Sequence, residues 1–142
     1  MTRGLRPLVF TNGVFDILHR GHITYLKKAR AMGACLIVGV NSDASSRRLG
    51  KGPERPVQSE DDRAHILAGL SCVDFVTLFD EDTPEQLIET LEPDILVKGG
   101  DYVLKDIIGA DFVLARGGAV ETVAFEYDRS TTGIVRHLKH LT

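Results

Sequence analysis

Cysteine is scarce in this sequence: Cys35 and Cys72 are the only two in 142 residues, and neither falls in a CxxC or CxxH spacing. A disulfide scaffold or a structural zinc site needs more than that. Both lie in apolar runs and read as buried thiols. An excess of positive charge is also missing. The formal net charge is −3, so no basic footprint marks a nucleic-acid or anionic-membrane partner, and any handling of phosphate must be local. No N-terminal apolar stretch is long enough for a signal peptide or a membrane span, so a cytoplasmic protein is expected. Repeats and low-complexity segments are absent as well.

What is present suits a soluble globular protein, with 43% hydrophobic and 26% charged residues. A chain of this length is expected to form one domain, residues 1–142, burying roughly 68–70% of its unfolded surface. Short apolar runs alternate with helix-like segments. Strands are predicted over 7–11, 35–41, 74–79, 94–102 and 119–125, and helices over 23–32, 60–70, 83–91, 104–118 and 130–141. Gly33 and Gly117 read as helix stops, and Thr83 as an N-cap with Pro84 at the first helical position. Residues 42–62 read as a long polar loop, basic in its middle. Five strands alternating with helices predict a Rossmann-like open parallel α/β sheet with helices on both faces. Ligands of such sheets bind at the carboxyl ends of the strands, where the loops after the first, second, fourth and fifth strands would meet.

The loop after the first strand leads into "HRGH", with His19 and His22 three apart and Gly21 beside the second ring. A helix start with free N–H groups suits an anion, and two imidazole N–H donors would reinforce it. Local hydrogen bonding is the plainer reading, and a metal site with Asp16 as third ligand is another. Asp16 equally reads as a turn residue. In the basic loop, Lys51 with Arg48 and Arg55 reads either as a lid over phosphates or as a solvated loop. Arg63 sits in the first turn of a helix, where a cation opposes the dipole, so an anionic partner is expected: a ligand phosphate, Asp61 or Asp62. In "KGGDY" (98–102) the glycine pair would let backbone approach a flat base, or simply make a tight turn. In "RSTT" (129–132) the hydroxyls offer a second anion cradle, or Thr131 is an N-cap.

Together these stretches resemble a known family. "HRGH" matches the HxGH signature of the nucleotidyltransferase superfamily, which includes cytidylyltransferases, pantetheine-phosphate adenylyltransferase and class I aminoacyl-tRNA synthetases. Taken with "TNGVFDILHRGHITYLKKAR", "VNSDASSRRLGKGPERPV", "ILVKGGDY" and "RSTTGIV", it most resembles the D-glycero-β-D-manno-heptose 1-phosphate adenylyltransferase family over residues 8–140. Glycerol-3-phosphate cytidylyltransferase is similar, less closely. Val14 stands where many relatives have cysteine, and Arg20 where many have proline. Some relatives carry this domain fused to a sugar kinase, a step expected here to belong to another protein.

The resemblance implies ATP with Mg²⁺ and a sugar 1-phosphate as partners, no nucleic acid or membrane partner, and a homodimer. It implies catalytic roles for His19, His22, Lys51 and Arg63. Nucleotide contacts are implied at Asn12, Gly13, Phe15, Asp16, Gly21, Gly39 and Asn41. They are implied also at Lys98, Gly99, Asp101, Ser130, Thr131 and Thr132. Sugar-phosphate contacts are implied at Arg48, Lys51, Arg55 and Arg129. The activity so implied is adenylyl transfer giving ADP-heptose and pyrophosphate for lipopolysaccharide core biosynthesis. Cytidylyl transfer to a polyol phosphate is the same-class alternative, and a non-catalytic nucleotide-binding regulator is the alternative of another class.

Overall fold

The apolar run LVFTNG forms the first strand, β1 (Leu8–Gly13), in a computed structural model that describes residues 3–50, 52, 54–100 and 103–124. The other strands are β2 (Cys35–Asn41), β3 (Phe75–Phe79), β4 (Ile95–Gly99) and β5 (Ala119–Val123). The helices are α1 (Arg20–Arg30), α2 (Asp43–Arg48), α3 (Glu60–Ala68), α4 (Glu85–Leu91) and α5 (Ala110–Ala115). Every strand pairing is parallel, in the order β3-β2-β1-β4-β5. This is the Rossmann-like α/β sheet that the alternation predicts. The chain steps outward from β1 to β3 and then returns to the other side of β1 for β4 and β5. The reversal opens a crevice at the carboxyl ends of β1 and β4.

Alternate side chains of each strand serve opposite faces. On one face Val9, Leu36, Val38 and Val97 pack with Tyr25, Leu26 and Ala29 of α1 and Leu67 of α3. On the other, Leu8, Phe10, Cys35, Ile37 and Leu96 pack with Ile88 of α4 and with Ala110 and Val113 of α5. The strand parity therefore sends Asn12, Asn41 and Lys98 to the α4 face, each one step past the last apolar residue of its row. Cys35 is fully buried and Cys72 half-buried; desolvation pushes both thiols above their ordinary pKa, as expected of inert packing groups.

Several element boundaries differ from expectation for identifiable reasons. The first helix begins at Arg20 rather than at residue 23, because His19 caps it. It ends at Arg30 with Ala31 as C-cap, so Gly33 is not its stop; a side chain at Gly33 would meet the Pro7 carbonyl oxygen at 2.5 Å. Inside the expected loop 42–62 lies α2, started by Ser42, whose Oγ accepts from the Ser45 N–H at 3.1 Å. At α4 the cap position is Pro84, one residue later than expected, while the Thr83 hydroxyl still accepts from the Glu85 N–H at 3.4 Å. The segment 104–118 is not one helix. A 3-10 turn (Leu104–Asp106) is separated from α5 by Gly109, at φ +88° and so close to Ile88 that a Cβ would lie 2.6 Å from its Cδ1. Gly117 closes α5 as predicted, its N–H donating to the Leu114 carbonyl. The helix predicted over 130–141 lies outside the described residues.

Candidate active site

The HRGH stretch forms the first turn of α1, and its two rings cap the helix reciprocally. His19 Nδ1 accepts the Gly21 backbone N–H at 3.1 Å, and His22 Nδ1 accepts the His19 backbone N–H at 3.2 Å. The ring centroids are 4.0 Å apart. A ring nitrogen that accepts a hydrogen bond carries no proton, so each neutral imidazole holds its proton on Nε2. The backbone thus fixes both tautomers and makes both Nε2–H groups donors. Phe15, at φ 50°, sets its ring edge-on to His22 with centroids 5.6 Å apart. Gly21 is buried against this turn.

Behind the turn, the loops after β1 and β2 are tied by charged groups. Asp16 is buried, and its carboxylate accepts from Arg55 Nε at 2.8 Å, from the Val57 N–H at 2.8 Å and from the Gln58 N–H at 2.9 Å. Its oxygens face protein donors, which makes Asp16 an anchor for the base of the basic loop. Arg55 is buried in the same pair, at 5% side-chain exposure, and does not present itself to a sugar phosphate in this arrangement. Arg63 is 1% exposed and ion-pairs with Asp43 at 2.9 Å, not with Asp61 or Asp62. It also donates to the carbonyls of Val14, Asn41 and Gln58. Four guanidinium N–H groups are thereby committed to protein acceptors, which makes Arg63 a positioning residue joining the loops after β1 and β2 to α3.

On the α4 side of the crevice lies a cleft of about 370 Å³. It brings together four of the expected residues: Asn12 and Gly13 from β1, Asn41 from β2 and Lys98 from β4. Sequence reasoning misses two of its walls. One is Asp82, Thr83 and Pro84 in the loop after β3; the other is Asp106, Ile107 and Ile108 at the break before α5. The first was findable, since every strand-to-helix loop of such a sheet opens on the same edge. The second was signalled only by Gly109 within a helical pattern. Asn41 donates from Nδ2 to Ser45 Oγ at 3.0 Å, holding α2 against the end of β2. The Asn12 amide makes no hydrogen bond to the protein among the described residues.

The remaining expected residues divide. Arg48, on α2, pairs with Asp82 at 2.5 Å and donates to the Asp80 carbonyl, latching α2 to the β3 loop at the rim of the cleft. Gly39 is a packing glycine: a Cβ there would lie 2.8 Å from Phe10 Cζ, so its missing side chain makes room for that ring rather than for a base. Gly99 ends β4 opposite Val123, and Gly100 follows at φ +97°. Lys51, Asp101, Arg129, Ser130, Thr131 and Thr132 lie outside the described residues. Among the described residues there is no group of three potential metal ligands, and no helix is long and apolar enough to cross a membrane.

Comparison with known proteins agrees with this geometry. The cytidylyltransferase-like family matches residues 10–132. A D-beta-D-heptose 1-phosphate adenylyltransferase of Bordetella bronchiseptica is 54% identical over 94% of this chain and 83% of its own length. The bifunctional protein HldE of Geotalea uraniireducens is 59% identical over 97% of this chain, which spans only 28% of that protein. Among solved structures, a lipopolysaccharide core biosynthesis protein from Thermoplasma volcanium superposes with a TM-score of 0.67 at 32% identity, covering 85% of this chain and 98% of that one. A pantoate-beta-alanine ligase from Francisella tularensis, at 14% identity and a TM-score of 0.55 over 87% of this chain and 60% of that one, shares the fold alone. With the HxGH turn at the switch point of a five-stranded parallel sheet and the family match over residues 10–132, the chain belongs to the cytidylyltransferase-like family.

Proposed function

We propose that this protein transfers AMP from ATP to D-glycero-β-D-manno-heptose 1-phosphate, releasing pyrophosphate and giving ADP-heptose for lipopolysaccharide core assembly. The observation that carries the reading is the capped HRGH turn, in which both Nδ1 atoms accept backbone N–H groups. Two Nε2–H donors at a helix N-terminus suit the phosphates of a nucleotide. The name of the Bordetella relative supplies the choice of substrate class.

A phosphate oxygen of the sugar 1-phosphate attacks the α-phosphorus of ATP, and the bond to the β-phosphate oxygen breaks. The nucleophile is already anionic, so no general base is needed, and catalysis comes from positioning and charge neutralisation. His19 and His22 donate to phosphate oxygens on which charge grows during transfer, and so act more on the transition state than on bound ATP. Arg63 and Asp16 hold the surrounding loops. Lys51 and the hydroxyls of Ser130, Thr131 and Thr132 keep the phosphate-binding roles that the resemblance gives them. Magnesium held by the nucleotide's phosphates would neutralise charge there. Asp16 does not fit as its ligand, since its carboxylate is taken by Arg55, Val57 and Gln58. The same reading carries a cytoplasmic location, where ATP is supplied, and a homodimer, supported by Phe75 and Leu78 exposed on the edge strand β3.

The test is pyrophosphate release with ATP or CTP, each against the heptose 1-phosphate and glycerol 3-phosphate. Turnover with ATP and the heptose 1-phosphate is expected. Turnover confined to CTP with glycerol 3-phosphate, or none with any pair, overturns the proposal.

A further inference from the structure

Tyr25 carries a buried hydroxyl that the transfer reaction leaves unused. It is 5% exposed and lies on the face of α1 that carries His22 three residues earlier. A helical side chain leans toward the helix N-terminus, so the Tyr25 ring lies over the turn that holds Gly21 and His22. Its hydroxyl donates to the Val97 carbonyl of β4 at 3.3 Å. It is also hydrogen-bonded to the hydroxyl of Thr11, a fully buried residue of β1. A phenol has one proton to give. With that proton on Val97, Thr11 is the donor to Tyr25, and the three groups form one directed chain from β1 through α1 to β4.

This chain stands where β1 and β4 part. Their ladder runs through Val9↔Ile95 and Phe10↔Leu96, and Thr11 and Val97 are the next residue on each strand. On its other side β1 stays paired with β2 as far as Gly13↔Val40. At the switch point, beside the crevice, the phenol thus joins the two strands through the helix. Tyr25 and Val97 belong to the same core cluster as Phe15, whose ring meets His22 edge-on. Packing alone would be served as well by phenylalanine and valine, since replacing both hydroxyl partners by apolar groups of the same shape is nearly neutral. What the hydroxyls add is a fixed distance between α1 and β4.

We propose that Tyr25 is a positioning residue for the HRGH turn. Its hydroxyl, held between Thr11 and Val97, fixes the depth of α1 at the opening between β1 and β4, and so where the two Nε2–H donors sit. The proposal rests on the reading of those donors as phosphate ligands.

The experiment uses the whole chain and its Tyr25→Phe, Thr11→Val and Thr11→Ser variants, with the double variant Thr11→Val/Tyr25→Phe. Pyrophosphate release gives kcat and KM for ATP, ring ¹⁵N signals of His19 and His22 at saturating ATP report on the donors, and urea midpoints report on stability. Tyr25→Phe should lower kcat by about 5–20-fold, part of the roughly 10²-fold that a misplacement of about 1 Å costs. KM for ATP should change by less than about twofold, because the donors act mainly on the transition state. The movement that ATP induces in both Nε2 signals should shrink. Thr11→Val should act in the same direction more weakly, and Thr11→Ser, which keeps the hydroxyl, should match wild type. The double variant should recover the urea midpoint, since neither hydroxyl is left without its partner, yet keep the low kcat. A double variant that recovers kcat together with its midpoint makes the tie merely structural, and a folded Tyr25→Phe with wild-type kcat and ring signals removes it altogether; both overturn the proposal. Where Tyr25→Phe does not fold, the Thr11 variants decide, and valine and serine variants that behave alike overturn it. Wild-type protein whose ring signals answer ATP but which releases no pyrophosphate retires the transfer reaction alone, and the ring signals of the variants then decide. Wild-type protein that binds ATP without moving either ring retires the phosphate reading and the proposal together.

Discussion

On the α3 side of the carboxyl edge, Asp16, Arg55 and Arg63 are buried and bonded to one another's loops. On the α4 side, the Asn12 amide and the Asp106 carboxylate carry no such bond among the described residues. Both sides hold polar groups at strand ends, yet they use them differently. A buried charge must be paired to be tolerated, and once paired it fixes its surroundings. A half-exposed amide such as that of Asn12, or an exposed carboxylate such as that of Asp106, is solvated at little cost. The saturated side therefore acts as scaffold for the HRGH turn, whereas the unsaturated side leaves its polar groups to solvent.

The largest effect expected of breaking this contrast is on the scaffold. Asp16→Ala leaves the Arg55 guanidinium and two backbone N–H groups without their acceptor. Urea denaturation should show a loss of about 3–5 kcal/mol, and an unchanged midpoint would show that the network holds nothing. His22→Ala comes next: turnover should fall by about 10²–10³, the loss of one transition-state donor, while ATP affinity falls much less. Near-normal turnover would return the ring to a purely capping role. Gly39→Ala should cost about 1–3 kcal/mol by crowding Phe10 and leave ATP affinity unaltered. A large drop in ATP affinity in a stable variant would restore Gly39 to the nucleotide site. Smallest is Arg48→Ala, whose exposed pair with Asp82 should contribute about 0–1 kcal/mol. A KM for the sugar phosphate raised more than tenfold, on the order expected for a charged hydrogen bond to ligand, would make Arg48 a direct ligand after all.

The contrast also explains what could be read from the chain. β2 was legible to the residue, because CLIVGVN is buried on both faces and carries an unbroken apolar run. The parallel α/β class followed from the alternation of strands and helices, and the HRGH turn from its own sequence. α2 was hidden because DASSRR is short and polar, and its start depends on one serine cap. Arg63 was visibly misplaced against the helix dipole, but its partner could not be chosen. Asp61 and Asp62 are adjacent and exposed to solvent, whereas Asp43, twenty residues back, is brought to it by α2. The Asp16–Arg55 pair spans 39 residues and two loops, a separation that no local pattern records. The cleft was half legible: Asn12, Asn41 and Lys98 follow from strand parity, but Asp106 reaches it only because Gly109 breaks the expected helix.

The role of the HRGH turn is tested most directly by chemical-shift mapping on ¹⁵N-labelled protein with ATP added. ATP should move the ring Nε2 signals of His19 and His22, with Nδ1 remaining the acceptor in each. ATP that binds while both histidine rings stay unperturbed would contradict the assignment of phosphates to the HRGH turn.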